Sequence, residues 1–392
     1  MSPATAAVRF PPAADRPLRV MVVDDAVVAR SMMTRWVDDE PDMKIVAAVR
    51  SGREALDKLA ASDPDVVLLD VDMPELDGIS ALPLLCAERR DLVVIMVSTL
   101  TRRSAELSLR ALSLGATDYI PKPLTTYEAM TSASFRRELI DKIRGLGRRR
   151  PPARESAPVL PPGAGKRVHP DKSPPRSPAS TPGSVAPREI VLRPFSAAVP
   201  EALLIGCSTG GPQALSTMIE KLPAAIDRAP VLITQHMPPT FTTVLAEHLS
   251  RISGRCAHEA EHGEPVLAGG IYLAPGGRHL RVVRESGRIR IALGNDPPIN
   301  FCKPSVDPLF SSAAQVWGAA ALGLVLTGMG SDGTRGARDI VAAGGSVIAQ
   351  DEATSVVWGM PRCVAQAGLC SAVLPIDRIA EKIIRLLSGD RS

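Results

Sequence analysis

The sequence predicts an α/β protein with two doubly wound parallel sheets, and three observations carry that reading. Apolar strands alternate with helical periods over the first third of the chain, and the same alternation resumes near residue 202 and runs to about 388. Between the two, residues 146–195 hold 12 of the 36 prolines and ten Lys/Arg against three Asp/Glu, with no sustained apolar period. Such a stretch makes an extended tether rather than a packed domain. The expected division is therefore a domain over 18–142, a Pro-rich basic linker over 143–197 and a second domain over 198–388.

Taking the elements in order, LRVMVVDD at 18–25 is an apolar strand ending in two acids, and AVVARSMMTRWVDD follows at helical period. DVVLLDVDMP at 65–74 is a buried strand ending in Asp70, LVVIMVST at 92–99 one ending in Ser98, and GATDYIPKP at 115–123 a short one ending at Lys122. In a parallel sheet the carboxyl ends of the strands share one edge, so Asp24, Asp25, Asp70, Ser98 and Lys122 converge there. Three crowded carboxylates repel and need a cation, and an oxygen-only set with an open position suits Mg²⁺. Lys122 balances an incoming phosphoryl group, and the Ser98 hydroxyl donates to one of its oxygens. Asp70 is the nucleophile that accepts the group, since Asp24 and Asp25 stand together at the metal edge.

The second domain opens on ALLIG at 202–206, followed by a helix with Pro212 in its first turn. PVLITQHMP at 230–238 sets His236 just beyond a strand, and LGLVLTGMGSDG at 322–333 sets Met329 and Asp332 beyond another. A Ser, a His and an Asp at one sheet edge form the set that makes a hydroxyl nucleophilic. Ser208 is assigned as nucleophile, His236 as general base and then acid, and Asp332 as the carboxylate that orients the ring. The backbone N–H of Met329 is the preferred oxyanion donor. Gly206-Cys207-Ser208-Thr209-Gly210 satisfies the loose Gly-x-Ser-x-Gly pattern, but the pattern is short, and the order of strand ends carries more weight. HEAEH at 258–262 spells a helical zinc motif. Gly263 and Pro265 follow at once and no long helical period surrounds it, so the two imidazoles are not expected on one helix face.

Composition narrows the classes further. The chain of 392 residues carries a net charge of +4, but residues 146–195 alone supply +7, leaving the rest mildly acidic. No apolar run approaches the roughly 20 residues needed to span a bilayer, and the first residues lack a secretory apolar segment. A cytoplasmic protein without direct membrane insertion is expected. Six cysteines without a Cys-x-x-Cys pair suit buried thiols in a reducing compartment and exclude a disulfide scaffold. The basic tether reads as solvated, and no nucleic acid is expected as a partner.

Residues 18 to about 140 resemble a response-regulator receiver domain with a flavodoxin-like sheet. The match lies in the acidic pair Asp24-Asp25, the LLDVDMPELDG run with Asp70, Ser98, Tyr119 and Lys122 before a proline. The resemblance implies phosphorylation of Asp70 by a histidine kinase, Mg²⁺ dependence, and a switch at Ser98 and Tyr119, with Tyr119 as the switch aromatic. The second domain resembles the catalytic domain of the chemotaxis protein-glutamate methylesterases. It does so through IGCSTGGP around Ser208, QHMPPTF around His236, APGGRHL, KPSVDPLF, TGMGSDG around Asp332, and GMP at 359–361. That resemblance implies the same triad and oxyanion donor, no cofactor in the esterase domain, and methylated glutamates (sometimes glutamines) on the cytoplasmic helices of chemoreceptors as substrate. Phe301 and Cys302 depart from the family, which commonly carries a small residue and a basic or histidine side chain there; the triad is expected to be untouched by the change. A DNA-binding response regulator, a receiver-controlled scaffold with an inactive esterase fold and a general lipase are the competing readings. No short helix-turn-helix output or large exposed apolar lid supports the first or the last.

Overall fold

The computed structural model describes residues 16–122, 133–148 and 190–390. Most of the expected tether and Pro123 lie outside the described residues.

Five parallel strands form the first sheet: β1 (Leu18–Val23), β2 (Met43–Val49), β3 (Val66–Asp70), β4 (Val93–Thr99) and β5 (Asp118–Lys122), in the order β2-β1-β3-β4-β5. Every residue of β3 is buried, as its unbroken apolar run demands of a strand covered on both faces. Strand β2 was not singled out in the sequence. It sits at the sheet edge and only Met43 and Val49 are buried, so its apolar signal is diluted. Helices α1 (Val27–Asp38), α2 (Gly52–Ser62), α3 (Gly78–Glu88), α4 (Arg102–Ser113) and α5 (Ala133–Gly147) connect and cover the strands. Three of them start on side-chain caps that satisfy otherwise unpaired N–H groups: Ser51 accepts from Glu54 N, Asp77 from Ser80 N (2.7 Å) and Thr101 from Ser104 N (3.1 Å).

The second sheet has seven strands, all paired in parallel. These are β6 (Ala202–Cys207), β7 (Val231–Gln235), β8 (Ala257–Glu259), β9 (Ile271–Leu273), β12 (Ala321–Val325), β13 (Ser346–Gln350) and β14 (Ala372–Leu374). Their order is β14-β13-β12-β6-β7-β9-β8, and an antiparallel hairpin of β10 (His279–Glu285) and β11 (Arg288–Gly294) stands apart. The strand order reverses at β6, between β7 on one side and β12 on the other. Such a switch point opens a crevice at the carboxyl ends of the strands, and β6, β7 and β12 are the three strands that lead to Ser208, His236 and Asp332. The helices are α6 (Gly211–Ile219), α7 (Pro223–Ile226), α8 (Phe241–Ser253), α9 (Val306–Trp317), α10 (Thr334–Ala342), α11 (Met360–Gln366) and α12 (Ile376–Leu387).

The two sheets are held together by the α4–β5–α5 side of the first domain packed on the strand-end side of the second. Tyr119 of β5 stacks on Phe241 of α8, with centroids 5.0 Å apart and planes 7° from parallel. Both rings are buried, and burying an aromatic ring is worth roughly 1.5–3 kcal/mol, so this contact is core-like rather than a rim contact. Around it, Arg102 Nη2 donates to both carboxylate oxygens of Glu247 (2.8 and 2.6 Å), and Gln213 Nε2 donates to the Ala116 carbonyl (3.1 Å). Val357 joins an apolar cluster with Phe135, Leu139 and Ile143 of α5. Among the described residues, no helix is long and apolar enough to cross a membrane.

Candidate active site

Pairing of β6 with β7 sets Cys207 opposite Gln235, so Ser208 and His236 are the next residues on two adjacent parallel strands. Adjacent strands lie about 4.8 Å apart. The backbone fixes both positions: His236 N donates to Cys207 O (3.1 Å), Ser208 N to Thr327 O (3.0 Å), and Gln235 Nε2 to Ser208 O (2.9 Å). The chain then turns sharply into α6 through Gly210, whose φ of 72° lies in the left-handed region. A Cβ there would come within 2.4 Å of the Val356 Cβ, so the position excludes a side chain on two counts.

The His–Asp half of the expected triad is formed. His236 Nε2 lies 2.7 Å from Asp332 Oδ2, and Asp332 is 2% exposed. Its carboxylate also accepts from Ser305 Oγ (2.8 Å) and Val306 N (2.7 Å) at the start of α9, where the helix dipole favours negative charge. Burial works against that charge, but His236 and these donors outweigh it and hold the carboxyl down to about 2. Ser305 and Val306 are site residues that the sequence reading missed. The KPSVD run is the signal that carries them, a serine before a helical period.

One expectation is corrected. Cys302 does touch the triad: its Sγ is 3.3 Å from His236 Nδ1. The substitution is not remote because the 299–302 turn folds back on itself, with Ile299 and Cys302 exchanging backbone hydrogen bonds (3.1 and 2.8 Å), and points the thiol inward. The two ring nitrogens are thus engaged by Asp332 and Cys302. Burial disfavours a charged ring, yet the Cys302 sulfur and the Asp332 carboxylate overcome it and raise the His236 pKa to about 10.

Met329 lies in the loop after β12, between Gly328, whose N–H is taken by Val357 O (3.0 Å), and Gly330, which has a φ of 89°. Among the described residues, no acceptor is assigned to the Met329 N–H. A Cβ on Gly328 would sit 2.8 Å from the Ser208 Cβ, so that loop passes directly over the serine. The side chain of Met329 reaches α5 of the other domain, where a Cβ on Gly145 would meet its methyl at 2.4 Å.

The HEAEH run behaves as expected. His258 lies in strand β8 and bonds Glu264 Oε2 (2.9 Å), while His262 Nδ1 accepts from Leu293 N (3.2 Å). The two rings serve different partners and share no helix face.

At the carboxyl edge of the first sheet, Asp24, Asp25 and Asp70 offer oxygens within 4.8 Å of one another. Lys122 Nζ bridges Asp24 Oδ2 (2.7 Å) and Asp70 Oδ1 (2.8 Å). Burial pushes the Asp70 carboxyl up to about 6, with Asp24 adding to the rise and Lys122 opposing it. Three hard oxygen donors against one ammonium leave a negative site that fits a divalent cation such as Mg²⁺. Ser98 Oγ is 2.8 Å from Ser108 Oγ of α4, and Tyr119 is buried against Phe241. Nine of the ten residues singled out from sequence lie at or just beyond the carboxyl ends of strands, and the tenth, Tyr119, is the second residue of β5.

Comparison with known proteins finds two family matches along the chain. The CheB methylesterase family matches residues 203–383, and the response regulator receiver domain family matches residues 20–133. A protein-glutamate methylesterase/protein-glutamine glutaminase of group 2 operon from Rhodopseudomonas palustris is 57% identical, covering 100% of this chain and 98% of its own. A protein of the same description from Bradyrhizobium diazoefficiens is 58% identical, covering 96% of each chain. The crystal structure of the Thermotoga maritima CheB methylesterase catalytic domain is similar at 41% identity, covering 48% of this chain and 100% of that one, with a TM-score of 0.47. With a relative this similar over its whole length, the chain belongs to the CheB-type protein-glutamate methylesterases, with an N-terminal receiver domain and a C-terminal methylesterase domain.

Proposed function

We propose that the chain is a phosphorylation-regulated serine esterase in which Ser208, His236 and Asp332 hydrolyse glutamate methyl esters on the cytoplasmic helices of chemoreceptors. Residues 18–142 are its regulatory domain, 143–197 its tether and 198–388 its catalytic domain. The observation that carries the reading is the 2.7 Å bond from His236 to the buried Asp332, one strand away from Ser208.

With Asp332 holding Nε2, Nδ1 is the nitrogen that serves as base, and Cys302 Sγ, 3.3 Å from it, gives way to the Ser208 hydroxyl when substrate binds. His236 takes the Ser208 proton at Nδ1 as the oxygen attacks the ester carbonyl, and Asp332 supports the imidazolium that forms. The Met329 N–H receives the oxyanion. The proton then passes from His236 to the leaving methoxide, releasing methanol, and the same nitrogen activates the water that frees the carboxylate and restores Ser208. A glutamine side chain would follow the same path with ammonia leaving. No cofactor takes part at this site.

Asp24, Asp25 and Asp70 would hold Mg²⁺ in the receiver. When bound, the ion neutralises charge on a phosphoryl group arriving from a histidine kinase. Asp70 accepts that group, Lys122 exchanges its bond with Asp70 for one with the phosphoryl oxygens, and Ser98 leaves Ser108 to donate to them. Tyr119 couples this change to the domain contact because its ring is the one packed on Phe241. The protein acts in the cytoplasm, without nucleic acid and without inserting in a membrane. Methanol release from methylated chemoreceptors, measured with and without a small-molecule phosphodonor, tests the reading. Release that rises severalfold with the phosphodonor supports it; release that ignores the phosphodonor refutes the regulation.

A further inference from the structure

We propose that Cys302 is a modification site: its thiol is activated by His236 toward peroxide-class oxidants, and once oxidised it keeps the histidine from Ser208. The juxtaposition is a Cys–His–Asp line. Sγ lies 3.3 Å from Nδ1, and Nε2 lies 2.7 Å from Asp332 Oδ2. A thiol beside an imidazole that is itself anchored by a carboxylate is the arrangement that makes cysteine nucleophilic. The anchoring is firm, because Asp332 is held by Ser305 and Val306 as well as by the ring.

The backbone is bent to hold the thiol there. Asn300 and Phe301 both have positive φ (51° and 65°), forming a two-residue left-handed turn closed by the Ile299–Cys302 bonds. Asparagine tolerates that region better than phenylalanine, so the turn is strained at Phe301. The Phe301 ring, 81% exposed, is turned outward under the Arg137 guanidinium, 4.3 Å from its centroid. The other thiols lack this setting. Cys207 and Cys370 are buried, with burial raising the pKa of each, and Cys86 and Cys363 face backbone carbonyls at 3.8 and 3.6 Å. Cys256 is the nearest competitor: it is exposed and 3.7 Å from His258 Nδ1, but that ring's carboxylate, Glu264, is far less buried than Asp332.

The step balances as follows. The thiol proton passes to His236 Nδ1, the sulfur attacks one oxygen of hydrogen peroxide, an S–O bond forms and the O–O bond breaks. The departing hydroxide takes the proton back from the ring and leaves as water. Sulfur is oxidised by two electrons to a sulfenic acid and peroxide is reduced; two equivalents of an added thiol return the cysteine, with a disulfide of that thiol and water as products. In the sulfenic acid the added hydroxyl occupies the Nδ1 side of the ring.

The test uses the full chain with limiting hydrogen peroxide and a dione that traps sulfenic acids, each cysteine being followed by peptide mass. Labelling of Cys302 about tenfold faster than of Cys256, and slowed about tenfold in His236→Gln, supports the proposal. Labelling of Cys256 first, or a Cys302 rate unchanged by His236→Gln, overturns it. This arm does not depend on esterase activity, and Ser208→Ala should label like the parent. The consequence for catalysis rests on His236 being the esterase base. Methanol release should fall with Cys302 labelling, return with dithiothreitol when peroxide is used alone, and resist peroxide in Cys302→Ser. A Cys302→Ser protein that loses activity to peroxide at the parental rate overturns the regulatory part.

Discussion

Arg102 at the start of α4 and Glu247 in α8 form a two-pronged ion pair, 2.8 and 2.6 Å, that joins the receiver to the catalytic domain beside the Tyr119–Phe241 stack. Both side chains are more than half exposed, so the pair orients the docking more than it stabilises either fold. Arg102→Glu should loosen the contact and raise methanol release by the unphosphorylated protein about three- to tenfold. Glu247→Arg should do the same, and the double reversal should restore the low basal rate. Equal rates in all four proteins would show that the contact does not restrain the enzyme.

Cys302 also bears on the pH dependence of catalysis. Its sulfur and Asp332 hold the His236 pKa up near 10 against burial, and only the neutral ring can accept the serine proton. Removing the sulfur in Cys302→Ala lowers that pKa, so the acid limb of the kcat/KM profile should move down by about one pH unit or more. Activity at neutral pH rises accordingly. A profile superimposable on the parent's would contradict this.

Asp70 gives the receiver a stability signature. Burial raises its carboxyl to about 6 from an ordinary 3.8, so the folded state holds the proton more tightly than the unfolded chain. Stability from this group is complete below 3.8 and is lost as pH rises through about 6. Asp70→Asn should flatten that decline, by about 1–3 kcal/mol between pH 4 and pH 7 in urea unfolding of the receiver transition. Parallel curves would refute the assignment.

Mg²⁺ should oppose the same penalty. Millimolar Mg²⁺ at neutral pH should stabilise the receiver transition by about 1–3 kcal/mol, and Asp25→Asn should remove most of that gain. A gain unaffected by Asp25→Asn places the ion elsewhere.

Much of this was legible in the sequence, for physical reasons that differ by element. The strands leading to Asp70, Ser208, His236 and Asp332 are buried on both faces and therefore read as unbroken apolar runs. The edge strand Met43–Val49 and the hairpin of His279–Glu285 with Arg288–Gly294 mix exposed with buried positions, and their signal is correspondingly weak. Ser305 and Val306 escaped because the KPSVD run marks a serine before a helical period but not its partner, a carboxylate 27 residues further along the chain. Cys302 was read as distant from the triad for a similar reason: the left-handed turn at Asn300 and Phe301, which swings it onto His236, contains no glycine to announce it.

The central claim is that Ser208 is the nucleophile, and the most direct measurement is methanol release from methylated receptor by Ser208→Ala beside the parent protein, with circular dichroism to establish that both are folded. The account expects a folded variant whose turnover is lower by a factor of about 10³ or more. A folded Ser208→Ala protein that releases methanol at the parental rate would contradict it.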